Sequence, residues 1–577
     1  MRVRKRARQI STSLIWAAIA GFVVAGPPSL DAYAGPQATA LSIPTRTASL
    51  AADSSDWPQW GGWDPGRNMV SSETNLPESF APGVPVSTGR VWSGSSTNVR
   101  WRARIGTQIY GNPTISGGRV FVGTTGAGGV NFDRPKPRTI PGGRVLCLDE
   151  ATGKLLWDLS IPKTSKARGK NNFLSQESSA GVCSSPAVDG DRVYVLTGNG
   201  FLLCLTTSGL GAGNQGPFRD EARFMAGEDA EPVETLPTDA DIVWVFDLIK
   251  ELKISIHDIS SCSVLVRGPY LYLATSNGVN PKHEKCPAPN APSFIVVDKA
   301  TGRLVADDGE KLGQRLFHCL WSPPSLGLVN GREIVFFGGG DGVCYAFETP
   351  RESGDDGPGR TNAVQILRKV WSYGGNPPEY KTRDGKAINY TDGDTRKKKG
   401  NANDGTYVGP SEIIATPVFY SNRVYVALGQ DPAHGRGRGL LHCIDATKSG
   451  DITQSGRIWA FDRIERSLSG VAIADGRLYV GDVAGHVFCL EADTGRCLWT
   501  IELRAESWST PLVADGKVYI GSRKGLHVLA TGSEPRELAQ IKLDSPSYGS
   551  VVAANGTLFV TSSKNLWAVQ KGAVPVH

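Results

Sequence analysis

Hydrophobic and polar positions alternate over short stretches of this 577-residue chain, and one such stretch recurs eight times. Each copy is a turn rich in Gly, Asn or Asp followed by alternating β-branched and aromatic residues, a pattern that predicts a β-strand. A short strand, often containing Ser/Thr-Pro, precedes each copy, and most copies are followed by two further strands. The copies begin at residues 117, 190, 268, 331, 421, 475, 515 and 555. Tandem units of four short strands predict the blades of a β-propeller.

Tryptophan marks the fourth strand in most units, and the exceptions predict how the ring closes. The eighth unit stops after its third strand, near residues 566–570, whereas an orphan strand with Trp101 precedes the first unit. A linear array would expose open sheet edges, so we expect this N-terminal strand to complete the last blade. We predict an all-β fold, an eight-bladed β-propeller of four-stranded antiparallel blades over residues 98–571. The marking tryptophans are Trp157, Trp244, Trp371, Trp459 and Trp499, with weaker versions at Ala306 and Ala539.

Residues 1–34 have the pattern of a cleavable secretory signal. Five basic residues precede an apolar run at 14–25, and the tripeptide Ala-Tyr-Ala follows at 32–34. The apolar run is too short to span a bilayer as a helix, so an uncleaved anchor is the weaker interpretation. We expect a periplasmic or secreted protein in which a lead-in segment, 35–97, precedes the propeller and a short tail, 572–577, follows it.

Composition and charge exclude some partners. Hydrophobic residues make up 40% of the chain, which is enough for a large core. The formal net charge is +6, and most of that excess lies in the predicted signal, so its removal leaves a nearly neutral body. Such a body has no general electrostatic attraction to nucleic acid or to anionic membranes. We expect a protein partner or a polar small ligand instead.

Two eleven-residue stretches, 147–157 and 489–499, resemble the tryptophan-docking motif of quinoprotein β-propellers. That motif is Ala-x-Asp-x-x-Thr-Gly-Lys-x-x-Trp, and Cys occupies its Ala position here. The segment 56–77 is also similar to the lead-in of those proteins. The resemblance implies an eight-bladed fold in which each Trp wedges against the next blade while Thr-Gly makes the tight turn. The tryptophans expected to dock are Trp101, Trp157, Trp244, Trp371, Trp459 and Trp499.

This resemblance leaves two classes of function open, because the superfamily contains dehydrogenases that use pyrroloquinoline quinone and also non-enzymatic scaffolds of outer-membrane barrel assembly. The enzymes carry a vicinal Cys-Cys disulfide over the cofactor, a Glu and an Asn that hold Ca²⁺, and an Asp base. This sequence has no Cys-Cys pair, and its nearest approach is Cys183-Ser184-Ser185. We therefore favour an exported binding or scaffolding propeller without a cofactor. Quinone-dependent oxidation of an alcohol or sugar, with Ca²⁺, is the alternative.

The cysteines give a second pattern, since five of the ten occupy one strand position in different blades. Equivalent positions in different blades are expected to lie too far apart for a disulfide, which favours small buried core residues. These five are Cys147, Cys204, Cys344, Cys443 and Cys489. Disulfides between Cys497 and Cys489, or between Cys286 and either Cys262 or Cys319, remain open in an oxidising compartment.

Long insertions predict the working face. In a propeller, the connections between blades and the loops from the second to the third strand lie on one face. These loops and their neighbours carry polar side chains: His257, His283, His318, His434, Asn171, Glu177, Asp258 and Glu284. The insertion at 207–240 joins a third strand to a fourth, so we expect it on the opposite face.

An aligned position just before each innermost strand predicts a polar ring at the channel mouth. Its members are Gln108, Asp258, His318, Glu412, Arg466 and Glu506. Such a ring can bind a metal, a polar ligand or a partner's side chain, or it can simply line water. Aromatic residues near the same position can stack a flat ligand, although blade packing explains them equally well: Tyr110, Trp508, Tyr548 and, one step offset, Trp321.

Overall fold

The computed structural model describes residues 55–83, 96–125, 142–162, 181–351, 363–383, 386–387, 410–432 and 437–574. These residues form eight antiparallel sheets of four strands, two of which gain a fifth strand at one edge. The predicted eight-bladed β-propeller is therefore confirmed. The predicted secretory signal and the loop residues Asn171, Glu177 and His434 lie outside the described residues.

Each of the first four blades runs in chain order from an innermost strand to an outer strand. The strands are β2 (Thr114–Ser116), β3 (Arg119–Thr125), β4 (Gly143–Asp149) and β5 (Leu155–Ile161) in blade 1; β6 (Ala187–Asp189), β7 (Arg192–Leu196), β8 (Phe201–Thr206) and β9 (Ile242–Asp247) in blade 2; β10 (Leu265–Arg267), β11 (Tyr270–Ala274), β12 (Phe294–Asp298) and β13 (Leu304–Asp307) in blade 3; and β14 (Ser325–Val329), β15 (Arg332–Gly338), β16 (Val343–Glu348) and β18 (Lys369–Gly374) in blade 4.

The remaining blades follow the same order, except that blade 8 takes its outer strand, β1 (Val99–Arg104), from the start of the propeller. The strands are β21 (Val418–Tyr420), β22 (Arg423–Ala427), β23 (Leu441–Asp445) and β25 (Arg457–Phe461) in blade 5; β26 (Ala472–Ala474), β27 (Arg477–Gly481), β28 (His486–Glu491) and β29 (Cys497–Glu502) in blade 6; β30 (Leu512–Ala514), β31 (Lys517–Ser522), β32 (Gly525–Ala530) and β33 (Glu537–Ile541) in blade 7; and β34 (Val552–Ala554), β35 (Thr557–Thr561) and β36 (Asn565–Val569) in blade 8.

Elements outside this pattern are short. The fifth strands of blades 3 and 4 pair in parallel with the outer strands. The additional elements are β17 (Gln365–Ile366), β24 (Gly450–Asp451), the hairpin of β19 (Thr382–Arg383) and β20 (Lys386–Ala387), the helices α1 (Glu221–Ala226) and α2 (Leu248–Leu252), and 3₁₀ turns at Leu210–Ala212, Leu312–Gln314 and Pro378–Tyr380. Across the described ranges, no helix is both long and apolar enough to cross a membrane.

The N-terminal strand closes the ring as the sequence predicts. Strand β1 pairs antiparallel with β36, the third strand of blade 8. Trp101 lies opposite Ala568, and Ala103 lies opposite Leu566. This pairing covers the edge that an open array of blades would expose.

Tight hairpin turns between the first and second strands explain the recurring Gly, Asn and Asp. In blade 6 the two turn residues, Asp475 and Gly476, have φ angles of 50° and 72°. Asn555 and Gly556 repeat this in blade 8, with 51° and 71°. Two-residue turns of this kind place both residues in the left-handed region, which Gly, Asn and Asp tolerate best.

The six docking tryptophans each donate an indole N–H to a backbone carbonyl of the next blade. The donor and acceptor residues are Trp101 and Glu150 (2.7 Å), Trp157 and Thr207 (2.9 Å), Trp244 and Lys299 (3.2 Å), Trp371 and Ala446 (3.1 Å), Trp459 and Ala492 (3.0 Å), and Trp499 and Gly532 (3.0 Å). Several rings also cover the glycine of the next blade's turn, and a Cβ on Gly153 would lie 2.6 Å from Trp101. That glycine therefore makes room for the neighbouring tryptophan as well as forming its own turn.

Small residues of the third strand stand opposite these tryptophans. Four cysteines occupy this position, paired as Cys147 with Trp157, Cys204 with Trp244, Cys443 with Trp459, and Cys489 with Trp499. The alignment of Cys344 to it is wrong: Ala346 faces Trp371, and Cys344 pairs two residues earlier, with Tyr373. All ten cysteines are free thiols.

The lead-in segment surrounds the hub of the propeller. We call residues 57–73 the inner strap, because they bond to the innermost strands of all eight blades in chain order. The successive partners are Trp57 with Ile115, Pro58 with Val188, Gln59 with Val266, Pro65 with Leu326, Gly66 with Phe419, Asn68 with Ile473, Met69 with Val513, and Ser71 with Ala553. The strap bonds within the innermost strands, whereas the residues of the predicted polar ring precede those strands.

Arg67 anchors the inner strap in the core. Its side chain is fully buried. The Nε atom donates to the carbonyl of Pro324 and Nη2 donates to the carbonyl of Val264, both at 3.0 Å, while Nη1 bonds to Trp60. Burial lowers the pKa of this guanidinium to about 9. Its carbonyl partners belong to the segments that lead into blades 3 and 4, so Arg67 ties the strap to two neighbouring blades.

The insertion of blade 2 does not lie where the sequence predicts. Phe224, in α1, packs edge-to-face against Phe201 with ring centroids 5.4 Å apart. Phe201 begins β8 next to the turn from the second strand, which belongs to the face that carries the connections between blades. The insertion therefore reaches that face along the outside of the blade. There it encloses a cavity of about 430 Å³ lined by both rings, Phe218, Asn199 and Arg223.

Candidate metal centre

Three histidines from three separate connections meet at the channel mouth beside blades 3 and 4. His257 precedes blade 3, His283 lies between β11 and β12, and His318 lies between blades 3 and 4. Their ring centroids are 4.3 Å to 5.1 Å apart, and one ligand nitrogen of each lies within 4.8 Å of the others. His257 and His318 are buried while His283 is half-buried, so the cluster can be approached from the side of His283.

Backbone hydrogen bonds hold the three connections together. The Val279 amide donates to the carbonyl of His318 at 2.8 Å, and the Gly278 amide donates to the carbonyl of Ser255 at 2.8 Å. A Cβ on Gly278 would lie 2.6 Å from the Cβ of His257. Glycine is needed here because the chain segments that carry His257 and His318 pass on either side of it.

The hydrogen bond of His257 fixes its tautomer. Nδ1 lies 2.7 Å from the carbonyl oxygen of Val279. A carbonyl oxygen only accepts, so Nδ1 carries a proton and, in the neutral ring, Nε2 carries the lone pair. This Nε2 lies 3.4 Å from an oxygen of Asp258. In the neutral imidazole, its lone pair repels the carboxylate, and a cation bound by both removes that repulsion. A metal-binding histidine usually donates one ring N–H to a carbonyl or carboxylate and binds the metal through its other nitrogen.

His318 contacts a buried thiol and a buried carboxylate. Its Nδ1 lies 3.1 Å from Sγ of Cys319 and 3.5 Å from Oε1 of Glu412. The Cys319 amide donates to Oε2 of Glu412 at 3.1 Å, which orients the carboxylate. Burial, and secondarily the charge of Glu412, raise the pKa of the Cys319 thiol. All three side chains are about 99% buried or more.

Two further carboxylates border the cluster. Ligand atoms of Asp258, His318 and Asp431 also lie within 4.8 Å of one another. Both aspartates are half-buried, and Asp258 has a left-handed backbone with φ of 56°, which turns its side chain back toward His257. The acidic side chains supply negative charge next to the imidazoles, which favours a bound cation.

Imidazole-rich surroundings select for transition metals. Neutral imidazole suits Zn²⁺, Cu²⁺, Fe²⁺ and Ni²⁺, and three histidines form the protein ligands of one well-known type of zinc site. Tetrahedral bonds of about 2.0–2.1 Å would place ligand nitrogens roughly 3.4 Å apart. The ligand nitrogens here lie within 4.8 Å of one another, close enough for one ion to draw them together. Side-chain rotation of the half-buried His283 can supply that movement.

The structure brings together half of the predicted polar ring. Asp258, His318 and Glu412 belong to the cluster. Glu506 instead accepts hydrogen bonds from Trp508 Nε1 at 2.7 Å and from Arg523 at 3.1 Å. For the other two, the Gln108 carbonyl accepts from Thr124 and Thr125, and the buried Arg466 bonds through its backbone to Gly437 and Val483.

The aromatic residues near the ring pack mainly against each other. Trp508 and Tyr548 stack with centroids 4.2 Å apart, and Tyr110 lies 5.8 Å from both. Trp321 instead donates to the carbonyl of Ile259 at 2.7 Å and contacts His318 edge-to-face. A centroid distance of 4.2 Å leaves no space for a flat ligand between Trp508 and Tyr548.

A calcium–quinone centre does not fit these residues. Ca²⁺ takes six to eight oxygen ligands, whereas the donor set here combines three imidazoles and a thiol with three carboxylates. A planar quinone would need an uncovered aromatic face, and Trp508 is stacked on Tyr548. Neither observation supports the quinone alternative at this mouth.

Sequence reasoning missed two members of the site. Asp431 lies in the β22–β23 connection and Cys319 follows His318 directly. Neither occupies the aligned position from which the ring was predicted. The adjacency of His318 and Cys319 in the chain was the available signal for Cys319, since both residue types are metal ligands.

Comparisons with known proteins agree with the fold. Residues 141–210 and 437–535 match the family model described as outer membrane protein assembly factor BamB. No curated protein matches the chain.

Similar solved structures include BamB from Moraxella catarrhalis, at 12% identity and a TM-score of 0.47, covering 82% of this chain and 99% of that one. A europium-containing methanol dehydrogenase has 13% identity and a TM-score of 0.49, covering 90% of each chain. The quinohemoprotein alcohol dehydrogenase from Comamonas testosteroni has 11% identity and a TM-score of 0.42, covering 90% of this chain and 82% of that one.

Proposed function

We propose that this chain is an exported binding propeller that holds a transition-metal ion at its three-histidine cluster. The observation that carries the proposal is the convergence of His257, His283 and His318, with a ligand nitrogen of each within 4.8 Å of the others. Neutral imidazole nitrogens bind transition-metal ions, and three histidines placed so closely can each give one nitrogen to the same ion.

Binding, without redox or quinone chemistry, is the activity that this geometry supports. The ion would be held by imidazole nitrogens from three connections, with Asp258 and Asp431 able to complete its coordination from the solvent side. A site of this kind leaves a position for a carboxylate, phosphate or side chain of a partner. We propose that such a group, on a protein or a small polar ligand, binds to this face of blades 3 to 5.

The proposed location follows from the N-terminal sequence. Basic residues, an apolar run and a small-residue cleavage pattern in residues 1–34 favour export across one membrane. Export would place the metal site in the periplasm or outside the cell. Mass determination of the mature protein from its native envelope or medium tests this, because cleavage removes the leader and lowers the mass accordingly.

Metal titration tests the function. Zn²⁺ or Co²⁺ added to metal-free protein is expected to bind stoichiometrically. We expect the double variant His257→Ala/His283→Ala to lower the affinity for this ion. The loss should exceed the roughly 10–100-fold that removal of a supporting residue causes. His486→Ala is the matched control, because His486 lies in blade 6 and pairs with Asp482. Unchanged binding in the double variant, or no binding by the wild-type protein, would overturn the proposal.

A further inference from the structure

A second set of ligand atoms lies on the inner side of His318. It consists of Nδ1 of His318, Sγ of Cys319 and the carboxylate of Glu412. The Nδ1–Sγ distance is 3.1 Å, the Nδ1–Oε1 distance is 3.5 Å, and the Sγ–Oε2 distance is 3.9 Å. A nitrogen, a sulfur and an oxygen therefore surround one small volume inside the protein.

These separations match those of ligands around one metal ion. Bonds of about 2.0–2.1 Å to nitrogen, about 2.3 Å to sulfur and about 2.0–2.2 Å to oxygen place tetrahedral ligands roughly 3.3–3.6 Å apart. Each observed distance lies within about half an ångström of that range. The inner set therefore needs little movement of its side chains to bind an ion.

The surroundings keep this set rigid. The amide of Cys319 fixes the carboxylate of Glu412, and the Glu412 backbone forms a β-bridge with Gly429. His318 is held by the bond from the Val279 amide to its carbonyl. Cys319 and Glu412 are also the buried thiol and carboxylate for which the proposed three-histidine site has no use.

We propose that Cys319, Glu412 and His318 bind a second divalent ion of thiophilic character, beside the ion of the three-histidine cluster. The inference rests on the proposed function in that His318 is common to both sets. The thiol proton leaves to solvent when the sulfur binds as thiolate. His318 binds the inner ion through Nδ1 and the outer ion through Nε2, so its ring proton also leaves to solvent and the ring bridges the two ions as an imidazolate. The inner site takes Zn²⁺ or Co²⁺ and excludes Ca²⁺ and Mg²⁺. The chain would then carry a two-ion centre that is reached from solvent on the side of His283 and the two half-buried aspartates.

Cobalt binding to the full mature chain tests the second site. Co²⁺ bound to thiolate gives a charge-transfer absorption in the near ultraviolet, whereas Co²⁺ bound only to histidine and carboxylate does not. We expect two equivalents of Co²⁺ with this absorption in the wild-type protein. Cys319→Ser is expected to bind one equivalent without it. His283→Ala is expected to retain the absorption while losing the outer ion.

Controls separate this inference from the proposed function. Cys344→Ala removes another fully buried thiol, in blade 4, and is expected to keep both ions and the absorption. Glu412→Gln, which preserves size, is expected to lower the affinity of the inner ion alone. One equivalent bound without the charge-transfer band means that Cys319 only hydrogen-bonds and overturns the second site, while the three-histidine site stands. Absence of any bound Co²⁺ overturns both.

Discussion

The outer strands of the blades and the channel mouth beside blades 3 to 5 use side chains in opposite ways. On the outer strands, one contact is repeated around the ring, as with Trp371 and Trp499, which bond to the next blade at 3.1 Å and 3.0 Å. At the mouth, the same aligned position carries Asp258, His318 or Glu412 in neighbouring blades, and these converge on one cluster. Repetition serves the scaffold, whereas departure from the repeat marks the site.

Histidine shows the same contrast within one half of the molecule. His442, in β23, donates from Nε2 to the carbonyl of Gly375 at 2.9 Å and accepts at Nδ1 from the hydroxyl of Tyr373 at 3.0 Å. Both of its nitrogens are thus occupied by neighbours in the core. His257 and His318 present their rings to each other and to carboxylates. A buried histidine is therefore informative only when its partners are known.

Removing a docking tryptophan is expected to have the largest effect on the scaffold. Trp371→Ala and Trp499→Ala should each lower the free energy of unfolding by about 3–5 kcal/mol, the usual cost of truncating a buried tryptophan. Chemical denaturation measures the free energy of unfolding. Co²⁺ titration at denaturant concentrations below the unfolding transition should show the same number of bound ions as in the wild-type protein. Loss of the ions in the Trp499→Ala variant, far along the chain from the cluster, would contradict the separation of scaffold and site.

A smaller loss is expected at the glycine that lies under a tryptophan. In Gly495→Ala, the new methyl would lie 2.7 Å from the ring of Trp459 at a φ of 72°. Gly476→Ala is the matched control, with the same φ and no neighbouring atom within 4 Å. The backbone conformation costs about 1–2 kcal/mol in both, and overpacking adds about 1–3 kcal/mol in Gly495→Ala alone. Equal melting temperatures for the two variants would show that the contact is unimportant.

A further prediction concerns the pH dependence of stability and His442. Burial lowers the pKa of His442 to about 4, whereas an unfolded histidine titrates near 6.5. Between those values the unfolded chain binds the additional proton, so stability falls as the pH drops from about 6.5 to about 4, by up to roughly 1.4 kcal/mol per pH unit. Denaturation as a function of pH should show a shallower fall in His442→Gln. Identical slopes would mean that His442 is protonated in the folded protein.

Most of the fold could be predicted from the sequence because its information is local and repeated. Alternation, turn residues and tryptophans specify each blade, and the orphan strand with Trp101 specifies closure. Cys344 was misaligned because its pattern is equally consistent with a shift of two residues, which leaves a side chain on the same face of a strand. Only the ladder, with Ala346 opposite Trp371, distinguishes the two registers.

The site could be predicted only in part, because its members converge through the shape of irregular connections. Alignment identified Asp258, His318 and Glu412, but gave no means of separating them from Gln108 or Glu506. The position of Asp431 depends on the irregular path of the chain directly after β22, and no periodic pattern encodes that path. The inner strap was likewise beyond prediction, because most of its partners lie more than a hundred positions away in the chain and no periodic pattern encodes these contacts.

The length of the inner strap also matches the number of blades around the hub. Residues 57–73 visit the blades one after another, so their length corresponds to a circumference of eight repeats. If one repeat were deleted, β1 could still pair with the last sheet. Each strap residue beyond the deletion would then lie next to the wrong blade and lose its hydrogen bond. The number of repeats is thus fixed twice, and duplication or loss of a unit would require a matching change in this short stretch.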